Sequence, residues 1–182
     1  MTETSRMGAG IGRGLAVGVI AGAAIWALVP SARAAETWGI ENEKVVKLQG
    51  KVVDLACELR HDCPADCGAG KRQLGLLTSD GKLRPAVKGN ADFAGTIADL
   101  APMCGKTIEV DGLLIENPAA HILMVQAWRE SSSAPWTKAE AFLTQWTKRN
   151  GVAKEWFRAD PDVKKVIDEN GVFGIKGLVA KE

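Results

Sequence analysis

The chain has no tyrosine, only two histidines and no excess of charge of either sign, and each shortage closes off a class of function. Its 23 basic and 22 acidic side chains leave a net charge of +1, which gives no electrostatic footprint for nucleic acid or another polyanion. His61 sits between Arg60 and Asp62 in a polar stretch and reads as a solvated side chain, and His121 opens a strand and reads as a cap or surface residue. There is no C-x-x-C for thioredoxin-like redox chemistry and no C-x-x-C-H for covalent haem. Ser131, Ser132 and Ser133 lack the glycine elbow of a nucleophilic serine, and Gly68-x-Gly70-Lys71 lacks the pattern of a phosphate loop. Asp80, Glu109 and Asp111 form no pair suited to acid–base work. No catalytic residue, cofactor or small-molecule substrate is indicated.

What is present begins with a leader. Arg6 and Arg13 precede an apolar run from Leu15 to Val29, Pro30 breaks it, and Ala32-Arg33-Ala34 places small residues at alternate positions. That is the pattern of a secretory signal peptide cut after Ala34. The rival expectation is a retained anchor over residues 10–30, tethering the chain to an inner membrane. The run is short of the roughly 20 residues a spanning helix needs, although glycines at 10, 14, 18 and 22 share one helical face. The absence of adjacent arginines argues against twin-arginine export. Either expectation puts residues 35–182 in the periplasm or outside the cell. Those 148 residues make one domain's worth of chain, with 20 basic and 21 acidic side chains, long enough to fold without a metal or a staple.

Residues 35–130 read as a β domain. Val45 to Ala56 is β-branched and makes one long strand, bent or bulged at Gly50. Arg72–Thr78 and Lys82–Val87 flank the hairpin signal Ser79-Asp80-Gly81, and Pro85 argues for an edge or an early stop. Phe93, Ile97 and Leu100 recur at helical spacing. Lys106–Leu114 and His121–Trp128 are the last two strands. Three strands, a helix and two strands are the order of the OB-fold, a five-stranded Greek-key barrel. Residues 45–128 resemble the OB-like domains of small exported bacterial proteins, in layout and in the phrases Gly50-Lys51-Val52-Val53-Asp54 and Leu76-Leu77-Thr78-Ser79-Asp80-Gly81-Lys82. The resemblance implies a mainly β fold and no particular activity, because such barrels bind many things.

The four cysteines concentrate the remaining chemistry. Cys57, Cys63 and Cys67 cluster after the first strand, and Cys104 stands alone before the fourth. In an exported chain two disulfides are expected, with Cys57–Cys67 and Cys63–Cys104 as the preferred pairing. The alternative is a metal- or redox-active centre in which Cys57, His61, Cys63, Cys67 and Cys104 are candidate ligands for zinc or copper.

Residues 131–182 read as a helical extension packing on the barrel. Thr137 and Glu140 form a capping box for a helix over 138–148. Asp160-Pro161 starts a second helix that ends at Asn170-Gly171, and the apolar, glycine-broken segment from Val172 to Val179 comes next as a last strand or a docking segment. Tryptophans 128, 136 and 146 suit packing of the helices on the barrel. Trp156, Phe157 and Arg158, in the connector between helices, are the candidate partner-binding residues. The function expected from these signals is an exported, non-catalytic accessory or structural protein that docks on a larger assembly, such as a membrane respiratory complex.

Overall fold

The computed structural model describes residues 35–175, 177 and 178. They form a closed five-stranded OB-like barrel followed by helices, as the strand order implied. Strand β1 (Glu43–Asp54) pairs antiparallel with β4 (Thr107–Asn117) along Glu43–Lys51 and with β2 (Leu74–Thr78) along Gly50–Asp54. Gly50 and Lys51 pair on both sides. A Cβ on Gly50 would lie 3.0 Å from the Leu77 carbonyl oxygen, so a side chain there would crowd the crossing. Strand β3 (Leu83–Lys88) pairs with β2, and β5 (Ala120–Arg129) pairs with β4. The barrel closes where β3 and β5 run parallel, with Ala86 opposite Leu123.

Two local expectations are corrected. Pro85 neither ends its strand nor marks an edge. It faces Gly75 of β2, and pairing with β5 begins one residue later, so its missing N–H removes no closing bond. The register runs unbroken through Gly50 and shifts instead between β3 and β5, at Ala86–Lys88, and between β4 and β5. Asp111 faces Ala127 and Gly112 faces Val125, which leaves Gln126 as the extra residue of a bulge. The core is built from Val52, Leu74, Leu76, Leu100, Ile108, Val110, Leu123 and Val125, all buried, with Cys67 and Met103 closing one end.

The helix between β3 and β4 is shorter than the spacing of Phe93, Ile97 and Leu100 predicts. Helix α2 covers only Ile97–Leu100 and continues as a 3-10 turn, Ala101–Met103. The Gly89 N–H bonds to the Ala94 carbonyl, and the buried Thr96 hydroxyl bonds to the Ala86 carbonyl at 2.9 Å. Those bonds hold residues 89–96 in turns. Phe93 therefore falls outside the helix, at φ 56° and 74% exposed.

The extension also starts differently. Thr137 does not cap a helix. Thr137–Lys138 forms a short strand β6 on the edge of β5, and Ala139 beneath it is buried. Helix α3 (Ala141–Asn150) begins after Glu140, and Asp99 Oδ1 accepts from the Ala141 N–H at 3.2 Å from across the chain. Helices α4 (Trp156–Ala159) and α5 (Pro161–Asn170) complete the extension's helical part. Trp146 and Trp156 bury against Ala91 and Ala94, so α3 and α4 rest on the turns after β3 through a second apolar cluster.

Burial pushes the pKa of Asp99 up from its ordinary 3.8, against the Ala141 hydrogen bond that lowers it. The folded chain therefore holds the Asp99 proton more tightly than the unfolded chain does. Its charged form subtracts stability in full above the folded pKa, and the loss shrinks as pH falls through that value and vanishes below the ordinary 3.8 of the unfolded chain. Asp99→Asn keeps an acceptor for Ala141 and removes the charge. Thermal unfolding is expected to show a higher midpoint for Asp99→Asn at pH 7 and no advantage by about pH 3.

Candidate functional site

The cysteine-rich insert begins at Asp54. Its buried carboxylate ends β1 and caps helix α1 (Leu55–Arg60), accepting from the N–H groups of Ala56 at 2.7 Å and Cys57 at 3.3 Å. The β-branched pattern predicted a first strand running on through Ala56. The helix that replaces its end changes where Cys57 points. At His61 the backbone turns left-handed, φ 59°, and its N–H bonds to the Cys57 carbonyl. This reversal brings Cys63 back to Cys57, with the Cα atoms 4.4 Å apart.

The observed disulfides are Cys57–Cys63 and Cys67–Cys104, which corrects the expected pairing. Cys67 lies in a 3-10 turn, Ala65–Gly68, whose backbone departs from helical geometry, and its side chain enters the barrel core beside Cys104. Five successive residues carry positive φ: Asp66 at 51°, Cys67 at 49°, Gly68 at 74°, Ala69 at 49° and Gly70 at 78°. Glycine adopts that geometry freely, whereas the three other residues are strained by about 1 kcal/mol or more each.

Arg72 ties the insert down. Its guanidinium bonds to the Asp62 carboxylate at 2.8 Å, to the Asp62 carbonyl at 2.9 Å and to Asp54 Oδ2 at 3.4 Å. The side-chain bond to Asp62 raises the arginine's pKa further, chiefly against desolvation. A shallow groove runs past these groups, floored by Leu55, Ala56 and Leu59 and edged by Arg60, Asp62 and Arg72. Neither Asp54 nor Arg72 stood out in the sequence. The signal for Asp54 was a capping residue four positions before Glu58.

The four cysteines are not free to serve as the zinc or copper ligands of the metal alternative. A thiolate centre needs free sulfur, and all four cysteines are disulfide-bonded. Among the described residues no three His, Cys, Asp or Glu side chains gather as a ligand set. His61 is exposed on the insert, apart from any such group, and His121 stands at the start of β5 with its Nδ1 3.4 Å from Arg84.

The second candidate surface is the extension. Trp156 is buried, its Nε1–H donating to the Asp92 carbonyl at 2.8 Å and its ring 4.9 Å from that of Phe142. Phe157 is half-buried with its ring 4.3 Å from that of Phe93, and Arg158 is exposed and paired with Glu155 at 3.4 Å. Asp160 fixes the start of α5. Its Oδ1 accepts from Asp162 and Val163 N–H groups, and its Oδ2 accepts from the Trp146 Nε1–H at 2.6 Å. Those donors hold its pKa below the usual aspartate value, the Val163 amide most strongly. Helix α5 thus leaves a fixed point, yet none of its ten residues is buried. Val163, Val166 and Ile167 on one face are exposed, and so are Val172, Phe173, Ile175 and Leu178 in the segment that follows. Helical spacing alone marks Val163, Val166 and Ile167 as an apolar face but does not show what they would meet.

The tethering expectation is corrected: among the described residues no helix is long and apolar enough to cross a membrane. The segment expected to anchor the chain, residues 10–30, and the leader as a whole lie outside the described residues. Compared with known protein families, with curated proteins and with solved structures, the chain matches none.

Proposed function

We propose that this chain is an exported, disulfide-stapled accessory domain, non-catalytic itself, that docks on a partner protein through α5 and the segment after it. The observation that carries the reading is the seven large apolar side chains left in solvent along residues 163–178. Large apolar side chains gathered in solvent in this way are a mark of an interaction site. Val163, Val166 and Ile167 have the i, i+3, i+4 spacing with which an amphipathic helix fills an apolar groove. The charges of α5 favour a protein groove over an anionic lipid surface. Asp162, Asp168 and Glu169 outnumber Lys164 and Lys165, whereas a lipid-binding helix is rich in lysine and arginine. Two disulfides support an oxidising compartment, and the near-neutral charge suits a protein partner.

The test is sedimentation of the full chain in a mild extract of its own host and as purified protein. The wild-type chain is expected to run in an assembly larger than itself in the extract and as a monomer when pure. Val166→Asp with Ile167→Asp is expected to shift it to monomer mass in the extract with an unchanged unfolding midpoint. A wild-type chain that runs as a monomer in the extract contradicts the reading, and so does a double variant that stays in the assembly. A pure chain that self-associates through this face would make the partner a second copy and contradict the heterologous docking.

A further inference from the structure

Asp111 is a buried carboxylate with too few partners. Its side chain is 2% exposed, in the middle of β4. Oδ1 accepts one hydrogen bond, from the backbone N–H of Ala35 at 3.0 Å. Oδ2 accepts none, and among the described residues the cation that faces it, Lys47 on β1, stands 3.9 Å away with its side chain 44% exposed. Burying a carboxylate on one neutral amide bond is unfavourable, and a fully paired one is not. The neighbouring residue is held as deliberately. The Glu36 N–H donates to Gln126 Oε1 at 2.8 Å, and the Gln126 amide donates back to the Glu36 carbonyl. Gln126 is the buried extra residue of the β5 bulge. Two buried polar side chains, on two strands, therefore grip the backbone at residues 35 and 36.

In the sequence, Ala35 comes directly after Ala32-Arg33-Ala34, the small residues at alternate positions that a leader-cutting endopeptidase reads. We propose that the Ala34–Ala35 peptide bond is a processing site and that the α-ammonium group released on Ala35 is seated on Asp111. Water cleaves the C–N bond at the endopeptidase: its oxygen joins the Ala34 carbonyl carbon, which departs as a carboxylate, and both of its protons end on the Ala35 nitrogen. The neutral amide donor becomes a cation with three N–H groups. One keeps Oδ1, and the others are free to serve Oδ2. Cleavage thus completes a buried ion pair that the uncut chain leaves half made, and processing stabilises the fold. The inference stands apart from the docking face on α5.

Among the described residues the charged groups around this seat are Glu36, next in the chain to Ala35, and those on the strands facing it. Lys47 faces Asp111 from β1. Its Nζ also lies 5.5 Å from the Trp136 ring, which Arg129 covers from the other side at 4.3 Å. Arg129 is itself paired with Glu109 at 2.6 Å. Lys88, on β3, lies over the Trp38 ring at 4.2 Å and serves the lead-in segment rather than Asp111. An unfolded α-amine titrates near 8, and the carboxylate raises that value in the folded chain. The stabilisation is then fully present below about pH 8 and lost as pH rises through the folded pKa.

The full 182-residue chain is made in a secreting bacterial host, and the released product is read by intact mass and unfolded in urea at pH 7 and pH 9.5. The mass is expected to begin at Ala35. The folded-to-unfolded ratio is expected to fall at least tenfold more between the two pH values in the wild type than in Asp111→Asn. Should Asp111→Asn fail to fold, the Ala35 α-amine is titrated directly in the wild type by NMR, and a folded pKa clearly above 8 is expected. A product that begins elsewhere, equal pH dependence in wild type and Asp111→Asn, or an α-amine titrating at 8 or below overturns the proposal.

Discussion

Replacing Cys67 and Cys104 together by alanine is expected to lower the unfolding free energy by about 4 kcal/mol, against roughly 2.4 kcal/mol for Cys57 and Cys63. The difference comes from the loops they close. Cys67 and Cys104 are 37 positions apart, and Cys57 and Cys63 only 6. A longer closed loop removes more freedom from the unfolded chain. Position adds to the effect. Cys67 is packed into the barrel core, whereas Cys63 is exposed. One term runs the other way, because the left-handed run from Asp66 to Gly70 is free to relax once Cys67 is released. That relief is limited, because the Ala69 N–H to Asp66 carbonyl and Lys71 N–H to Gly68 carbonyl bonds hold the turn without the disulfide. Urea unfolding of the two double variants measures the order directly. Equal losses, or a larger loss for Cys57 and Cys63, would contradict the assignment of the second staple as the one that holds the barrel.

Gly112→Ala is expected to cost about 3 kcal/mol or more and to unfold part of the population at about 37 °C. The φ of Gly112 lies outside the left-handed region, so conformational freedom is not why glycine stands there. A Cβ at this position would come 2.1 Å from the Met124 carbonyl oxygen. That atom belongs to the backbone of β5 and cannot rotate away. The clash falls at the bulge, where Gln126 grips Glu36, so β5 has to separate from β4 at the point where the lead-in segment is held. Gly81→Ala is the contrast. Its φ is +75° but nothing lies within 4 Å of a new Cβ, so only the backbone strain of about 1 kcal/mol applies. Thermal unfolding of the two variants, with near-UV circular dichroism to track the tryptophans, separates the two causes. A Gly112→Ala midpoint within a degree or two of wild type would contradict the close β4–β5 approach.

The barrel was legible in the sequence because its signals are local. β-branched runs of the right length, separated by Ser79-Asp80-Gly81 and Glu116-Asn117-Pro118, set the strand order without tertiary information. The cysteine pairing was not legible, because it turns on one residue. Asp54 caps a helix and stops the strand early, and a capping aspartate next to a β-branched run reads equally well as a strand end. Phe93 kept helical spacing but sits in turns fixed by Gly89 and Thr96, bonds that no periodicity reveals. Thr137 and Glu140 matched a capping box, yet pairing with Trp128 drew Thr137 into β6. The partnership of Ala35 with Asp111 spans 76 positions and rests on burial, which the sequence does not carry.

The central claim is that the cysteines are structural, so that what this chain does lies in its surfaces and not in a sulfur centre. The most direct test is peptide mapping of natively purified protein, digested without reduction after alkylation of any free thiol. The account predicts no alkylated cysteine and two linked peptides, Cys57 with Cys63 and Cys67 with Cys104. Alkylated thiols, or Cys57 found linked to Cys67, would contradict it and return the function to the insert after β1.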